Sequence, residues 1–169
     1  MTDRWKSLED LGFPGYQISD KGVVKSDKSN KYLKVSSNQY GLVRVGLMRP
    51  DTGRQITLGL SRLVANAFVK GKSPQFNTPI NLNGNRNDNR ASNLAWRPRW
   101  FAVKFFHQFD SDKEPLMTTR IYDVETSKEY EDSRQAAAEN GLLEADIMKS
   151  VVNGAPCFPT WQIFARVSH

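Results

Sequence analysis

Pro79-Ile80-Asn81-Leu82-Asn83-Gly84-Asn85-Arg86-Asn87-Asp88-Asn89-Arg90-Ala91-Ser92-Asn93-Leu94-Ala95-Trp96 places six asparagines in eighteen residues. Asn tolerates left-handed backbone and closes turns through its side-chain amide, so the run describes a tightly hydrogen-bonded loop between two short strands. Upstream, Ser61 reads as the N-cap of a helix through Arg62-Leu63-Val64-Ala65-Asn66-Ala67-Phe68, and Gly71 and Pro74 lie beyond its end. Leu63, Val64, Ala67 and Phe68 form one apolar stripe and read as core. Downstream, Pro98 suits the first turn of a helix containing Trp100, Phe101, Val103, Phe105 and Phe106.

Towards the N-terminus the pattern is one of short strands and turns. Trp5, Leu8 and Leu11 lead into Gly12-Phe13-Pro14-Gly15, Tyr16 to Ser19 alternates before Asp20-Lys21-Gly22, and Val23 to Ser26 follows as another strand. A polar, Lys-rich loop spans Asp27 to Lys31. Gly41 to Leu47 alternates as a half-buried strand and pairs with Gln55 to Leu60 across the Pro50-Asp51-Thr52-Gly53 turn. Asp110 to Leu116 reads as an exposed linker. Beyond it come strand candidates at Arg120 to Val124 and Glu129-Tyr130, a helix over Arg134 to Asn140 capped by Ser133, a break at Gly141, and a second helix over Glu144 to Val152 ended by Asn153-Gly154. Trp161 to Arg166 returns as a strand. Helix, Gly-containing turn, helix is the spacing of a helix-turn-helix, although most short helix pairs bind nothing.

Composition narrows the function classes. No apolar run approaches the roughly 20 residues of a spanning helix, so no membrane role is expected. The opening Met-Thr-Asp-Arg-Trp-Lys lacks a secretory pattern and Cys157 has no partner, which points to a reducing cytoplasm. One Cys with His107 and His169 cannot make a four-ligand zinc site. The net charge of +6 is uneven: residues 1–50 hold nine basic and five acidic side chains, 51–110 nine and three, and 111–169 six and ten. A basic front two-thirds suggests a polyanion-facing surface, with nucleic acid the commonest such partner, although many domains carry this charge with no ligand.

Taken in order, these stretches resemble the HNH homing endonucleases of phages and phage introns. The stretch from Trp5 through Gly12-Phe13-Pro14-Gly15 to Ser26 looks like the family's nuclease-associated module, Ser61 to Phe68 and Asn81 to Trp96 look like the HNH body, and Asp123 to Arg166 is similar to its C-terminal helix-turn-helix module. The resemblance implies an α+β fold: a β-rich module over 1–50, a ββα-metal (HNH) domain over 51–110, and a linker with the helix-turn-helix module over 111–169. In the family a strand-borne His activates water, and neighbouring Asp, Asn or His side chains hold a divalent metal on the scissile phosphate, since hydrolysis near neutral pH needs a proton acceptor and a cation. Here the matching positions are degenerate. Ser61 stands for the His before Leu-Val-Ala, Asn81 for the general base, and Asn83 for the Asp of the Asp-Gly pair; Ile80 and Ala102 occupy positions where relatives place further ligands. Gly84, Asn85, Asn89, Asn93, Leu94 and Trp96 retain the loop-closing and packing pattern. His107, beside Phe105 and Phe106, reads as a packed or surface residue.

The resemblance therefore implies a phage-type, double-stranded-DNA-binding protein with an impaired nuclease site, acting in the cytoplasm of an infected bacterial host. No cofactor is expected on that reading. Phosphate contacts would come from Lys25, Lys28, Lys31, Lys34, Arg44, Arg54, Arg86, Arg90, Arg97 and Arg99, and base contacts from the strand pair near Arg44 and Arg54 and from Lys149, Ser150 and Asn153. Two alternatives stand beside it. One is an active nicking endonuclease using Mg²⁺ or Mn²⁺ at a rearranged site with Asn83 or Asp88 as ligand. The other is an interaction factor whose acidic C-terminal module docks on a phage or host protein such as RNA polymerase. The oligomeric state and the DNA target are left open by the sequence.

Overall fold

Short alternating segments build the front of the chain as antiparallel strands. The structure is a computed structural model, and it describes residues 2–110 and 114–168. Strands β1 (Trp5–Ser7), β2 (Tyr16–Ser19), β3 (Val24–Ser26) and β4 (Lys31–Tyr32) form a four-stranded sheet in chain order. A second sheet joins β5 (Val35–Ser37), β6 (Val43–Met48) and β7 (Gln55–Gly59), with Val45 opposite Leu58 and Leu47 opposite Ile56 on the covered face. The hairpin at residues 50–53 forms as expected, and Gly53 donates its N–H to Arg49 O at 2.8 Å. Strands β4 and β5 lie where the sequence shows no apolar alternation, and all five of their residues are exposed.

Helix α1 (Leu60–Phe68) follows β7 without a loop. Its N-cap is Gly59, with no side-chain cap bond, so Ser61 sits inside the first turn and is not the cap expected from the sequence. The strand runs straight into the helix, so the cap falls two residues earlier than expected, on the extended Gly59, which has no hydroxyl to offer. Leu60, Leu63 and Val64 pack onto Leu8, Phe13, Ile18, Val24, Val45 and Leu47 from the strands and onto Leu94 and Trp96, making one core. Each such fully buried side chain contributes about 1.5–3 kcal/mol by leaving water. Strands β8 (Thr78–Asn81) and β9 (Leu94–Arg97) close this unit: Trp96 Nε1 donates to Val69 O at 3.1 Å, and Ala91 N donates to Asp20 O at 2.7 Å. Contacts divide the chain into this first unit, Met1–Asn81 with Asn85–Arg99, and a second, Leu82–Gly84 with Trp100–His169.

In the second unit, helix α2 (Arg99–His107) buries Phe101, Ala102 and Phe105. Strands β10 (Ile121–Asp123), β11 (Glu129–Tyr130) and β12 (Phe164–Arg166) form a sheet with β10 in the centre. Helices α3 (Ser133–Asn140) and α4 (Glu144–Asn153) pack on it through Ala136, Ala137, Leu142 and Ile147. Gly141, at φ 63°, ends α3 in the left-handed conformation that a Cβ disfavours. The cap of α3 is Asp132, whose carboxylate accepts from Gln135 N at 2.7 Å. Ser133, expected as the cap, is instead fully buried and donates its hydroxyl to Glu144 Oε2 at 2.9 Å. A charged acceptor at the helix N-terminus and a neutral hydroxyl in the interior is the cheaper assignment of the two. The linker expected over Asp110 to Leu116 falls partly outside the described residues; its described end is tied down, with Leu116 N donating to Glu144 Oε2 at 2.9 Å. No helix among the described residues is long and apolar enough to cross a membrane.

Glu144 is the polar centre of this unit. Only 2% exposed, it also accepts from Arg134 Nε at 2.7 Å, while its own N–H donates to Gln108 Oε1 at 2.9 Å. Gln108 Nε2 donates in turn to Leu142 O at 3.0 Å, so the turn between α3 and α4 is clamped on both sides. Replacing Glu144 with Ala strands three donors around a cavity, and urea unfolding should show the second unit destabilised by on the order of 2 kcal/mol. Cys157 is fully buried and burial pushes its thiol pKa up to about 11. It should therefore resist alkylation at pH 8 in the native protein and react fully in denaturant, as mass spectrometry would read directly.

Candidate nucleic-acid interface and the asparagine hairpin

The hairpin pairs β8 with β9 in the register Thr78 to Arg97, Pro79 to Trp96, Ile80 to Ala95 and Asn81 to Leu94. Asn81 ends β8 and is 3% exposed. Its Nδ2 donates to Asp88 O at 2.9 Å and to Asn89 Oδ1 at 3.1 Å. Because a carbonyl only accepts, the Asp88 contact fixes which end of the Asn81 amide faces the loop. Asn93 Nδ2 donates to the same Asp88 O at 2.7 Å, Asn89 Nδ2 donates to Arg86 O at 3.0 Å, and Asn85 Oδ1 accepts from Asn87 N at 3.0 Å. The asparagines thus supply the loop with the partners its backbone lacks in a strand or helix, as the composition implied. An amide in this role has no basic nitrogen, so Asn81 cannot accept a proton from water.

Of the two residues expected as metal ligands, Asp88 is engaged by an arginine and Asn83 is exposed. Both oxygens of Asp88 are taken by Arg90, at 2.9 Å from Nε and 2.7 Å from Nη2, and this fork raises the Arg90 pKa. Ser61 lies on α1, Asn83 is exposed, and Ile80 and Ala102 are buried apolar residues. No cluster of three His, Cys, Asp or Glu side chains suited to a metal forms among the described residues. One carboxylate already neutralised by a guanidinium, with neutral amides around it, does not fit the hard, charge-rich oxygen set that Mg²⁺ or Mn²⁺ requires. His107 is exposed at the end of α2, its Nδ1 3.9 Å from Asp110 Oδ2. It borders a cleft of about 270 Å³ lined by Lys104, Gln108, Leu116, Arg134 and Glu144. His169 lies outside the described residues.

The cations expected to meet phosphate are mostly where water and a ligand can reach them. Lys28, Lys31 and Lys34 are exposed along the turn and edge made by β3 and β4, with Lys25 half-buried beside them. Tyr32, 68% exposed, stands between these lysines with its ring 6.4 Å from that of Trp5. Sequence reading passed over this aromatic because a single exposed Tyr carries no periodic signal. Arg44 lies opposite Ser36 and Gly59, on the face of its sheet away from Val45 and Leu47. That outer face also carries Gln55 and Thr57, and Gly46 leaves room for the Gln55 amide, which a Cβ would strike. Arg54 is exposed in the turn before β7, and Arg99 is exposed at the start of α2. Arg86 is half-buried, with Nη1 donating to Tyr40 O at 3.1 Å, and Arg90 is committed to Asp88.

Two expected contacts depart from this picture. Arg97 is 8% exposed and donates from Nη1 to Trp96 O at 3.0 Å, and burial lowers its pKa. Ser150 is 1% exposed and its Oγ accepts from Phe164 N at 2.9 Å, tying α4 to β12. Both side chains point inward because each completes a backbone hydrogen bond that would otherwise be buried and unmet. On α4, Lys149 and Asn153 are exposed; Lys149 Nζ is 3.4 Å from Asp146 Oδ1, and Asn153 Oδ1 accepts from Ala155 N at 3.1 Å.

Comparison with known proteins matches residues 3–48 to the NUMOD4 motif. Two proteins of Acanthamoeba polyphaga mimivirus named as uncharacterised HNH endonucleases are 33% and 28% identical over 86% and 84% of this chain. The DNA endonuclease I-HmuI of Bacillus phage SP01 is 36% identical over 54% of it. The chain spans only 37%, 41% and 51% of the length of these three relatives. A solved structure of the HNH homing endonuclease I-HmuI has the same fold, with a TM-score of 0.55, 24% identity, and coverage of 98% of this chain and 99% of that one. In sequence the chain is similar to HNH endonucleases, its residues 3–48 match the NUMOD4 motif, and its fold is that of an HNH homing endonuclease.

Proposed function

We propose that this protein binds double-stranded DNA and has lost, or nearly lost, the ability to cut it. The observation that carries the reading is the state of Asn81: at the position where the resemblance calls for a general base, a buried amide spends its hydrogens on Asp88 O and Asn89 Oδ1. Hydrolysis of a phosphodiester needs a proton acceptor within reach of water and a cation to take up charge at the leaving oxygen. Asn81 cannot supply the first, and Asp88, held by Arg90, is poorly placed to bind the second. Binding makes smaller demands. Exposed Lys28, Lys31, Lys34, Arg44, Arg54 and Arg99 neutralise phosphates wherever a duplex lies along them, and Lys149 and Asn153 are free of the interior for contacts from α4. A homing endonuclease ancestry supports DNA as the polyanion and the cytoplasm of an infected bacterial host as the setting.

The reading is tested with purified protein on supercoiled and linear DNA, in Mg²⁺ or Mn²⁺ against EDTA, scored for mobility shift and for nicking at two salt concentrations. A salt-sensitive shift without nicking is expected, because counterion release makes phosphate-driven binding fall steeply with salt. Metal-dependent nicking would return the protein to the active enzymes, and a salt-resistant complex with one host or phage protein, without a DNA shift, would make it an interaction factor. Asn81→His is expected to leave nicking at background, since one imidazole brings no metal site. It should also lower stability by about 1–3 kcal/mol, read by thermal unfolding, because the larger ring cannot make both amide donations to the loop.

A further inference from the structure

The described non-glycine residues with positive φ are Asn30, Ser127 and Trp161, and of these only Trp161 is bulky. Its φ is 63°, a conformation that L side chains of this size avoid and that persists only where surrounding contacts impose it. Those contacts are present. Cys157 N donates to Gln162 O at 2.8 Å and Trp161 N donates to Cys157 O at 2.7 Å, closing a tight turn. Gln162 Nε2 then anchors the turn to the buried Asp123 Oδ2 at 2.7 Å and to Asn140 Oδ1 at 3.1 Å. The outcome of this bracing is an indole that is 65% exposed. An apolar ring held out in water at a backbone cost, with no interior to fill, is a feature that stability alone does not account for.

The ring is also the end of an aromatic row. Trp161 meets Phe158 edge-to-face at 6.1 Å, Phe158 stacks on Trp100 at 5.7 Å, and Trp100, itself 53% exposed, leans on the buried Phe101 at 5.8 Å. Lys104 Nζ lies 5.5 Å over the Trp100 ring, so the charged group packed on the row is a cation. Two indoles exposed to this degree present roughly 300 Å², whereas a stable protein partner needs about 800 Å² per side. The area suits a flat, π-faced ligand attached to negative charge better than a second protein surface.

We propose that Trp161 acts as a wedge at a base step of bound duplex DNA, stacking on a base of the step it unstacks, with Lys104 taking a phosphate on the Trp100 side of the row. This rests on the DNA-binding reading and adds to it a contact in a segment whose net charge is acidic. A stacking contact tolerates that charge because its energy comes from ring overlap and desolvation, not from phosphate neutralisation. The rigid turn matters for the same reason: the ring is already placed, so little side-chain freedom is lost on contact.

Fluorescein-labelled duplex DNA titrated with the full chain, across a series of salt concentrations, tests this with W161G, W161F and K104A. Glycine accepts the left-handed φ at position 161, so W161G removes the ring while easing the backbone, and circular dichroism checks that the fold is kept. W161G should bind about tenfold more weakly with an unchanged salt slope, and W161F should recover most of the loss, whereas K104A should lower the slope by about one. Tryptophan emission quenched by DNA in the wild type should be quenched less in W161F. Equal affinity and equal quenching in the wild type, W161G and W161F would overturn the stacking role while leaving DNA binding intact. No binding by the wild type would instead remove the DNA-binding reading itself. A wild-type dimer that W161G converts to a monomer in sedimentation would also overturn the proposal, by making the row a self-association surface.

Discussion

A single carbonyl oxygen, that of Asp88, receives hydrogen bonds from two buried amides, Asn81 at 2.9 Å and Asn93 at 2.7 Å. The loop between β8 and β9 carries no apolar run of its own and could not be held by burial, so it is held by this convergence. With Asp88 O fixed, Asn89 falls into place between Asn81 and Arg86, and Ala91 reaches Asp20 O to join the loop to the N-terminal strands. Leu94 and Trp96 are then carried into the core beneath α1. Buried polar groups are expensive unless matched, and a set that is fully matched specifies one arrangement.

The second unit is organised by the same device with different chemistry. The Glu144 carboxylate takes donors from Arg134, Ser133 and Leu116, and Gln108 grips both sides of the adjoining turn. Both units are small and made of short elements, which limits the apolar area available to each. Polar side chains with exact partners supply the definition that a larger core would give. One effect is that Asn81, Asp88 and Glu144 all hold structural hydrogen bonds. Another is that Lys28, Lys31, Lys34 and the rings of Trp100 and Trp161 are left exposed.

Much of this architecture is visible in the amino-acid order. Alternation around Val45 and Leu58 with the turn at residues 50–53 gives the hairpin, Gly141 and Gly154 mark the helix ends, and the Asn run is a loop in both readings. Strands β4 and β5 were not legible because they are exposed edges whose residues carry no inside-outside pattern. The caps of α1 and α3 shifted by one or two positions for reasons that are not local: a strand running straight into α1, and the interior demand of Glu144 for the Ser133 hydroxyl. At the candidate site, the exposed lysines were identifiable by charge alone, whereas the inward turn of Arg97 and Ser150 answers to backbone partners, Trp96 O and Phe164 N, that charge does not reveal.

By itself the sequence determined most of the elements and the amide at position 81, since these follow from residue identity and short-range periodicity. Only the tertiary structure decided what the Asn81 amide does. Asn81 became a strut because Asp88 and Asn89, several residues away, bring an acceptor to each of its hydrogens; Asp88 came to hold Arg90 with both carboxylate oxygens because the loop brings the two together; and Trp161 became a presented ring because Asp123 and Asn140, from distant parts of the chain, lock the turn beneath it. Hydrogen-bond partnership and burial depend on which groups meet in space, and that is fixed only when the chain has closed on itself.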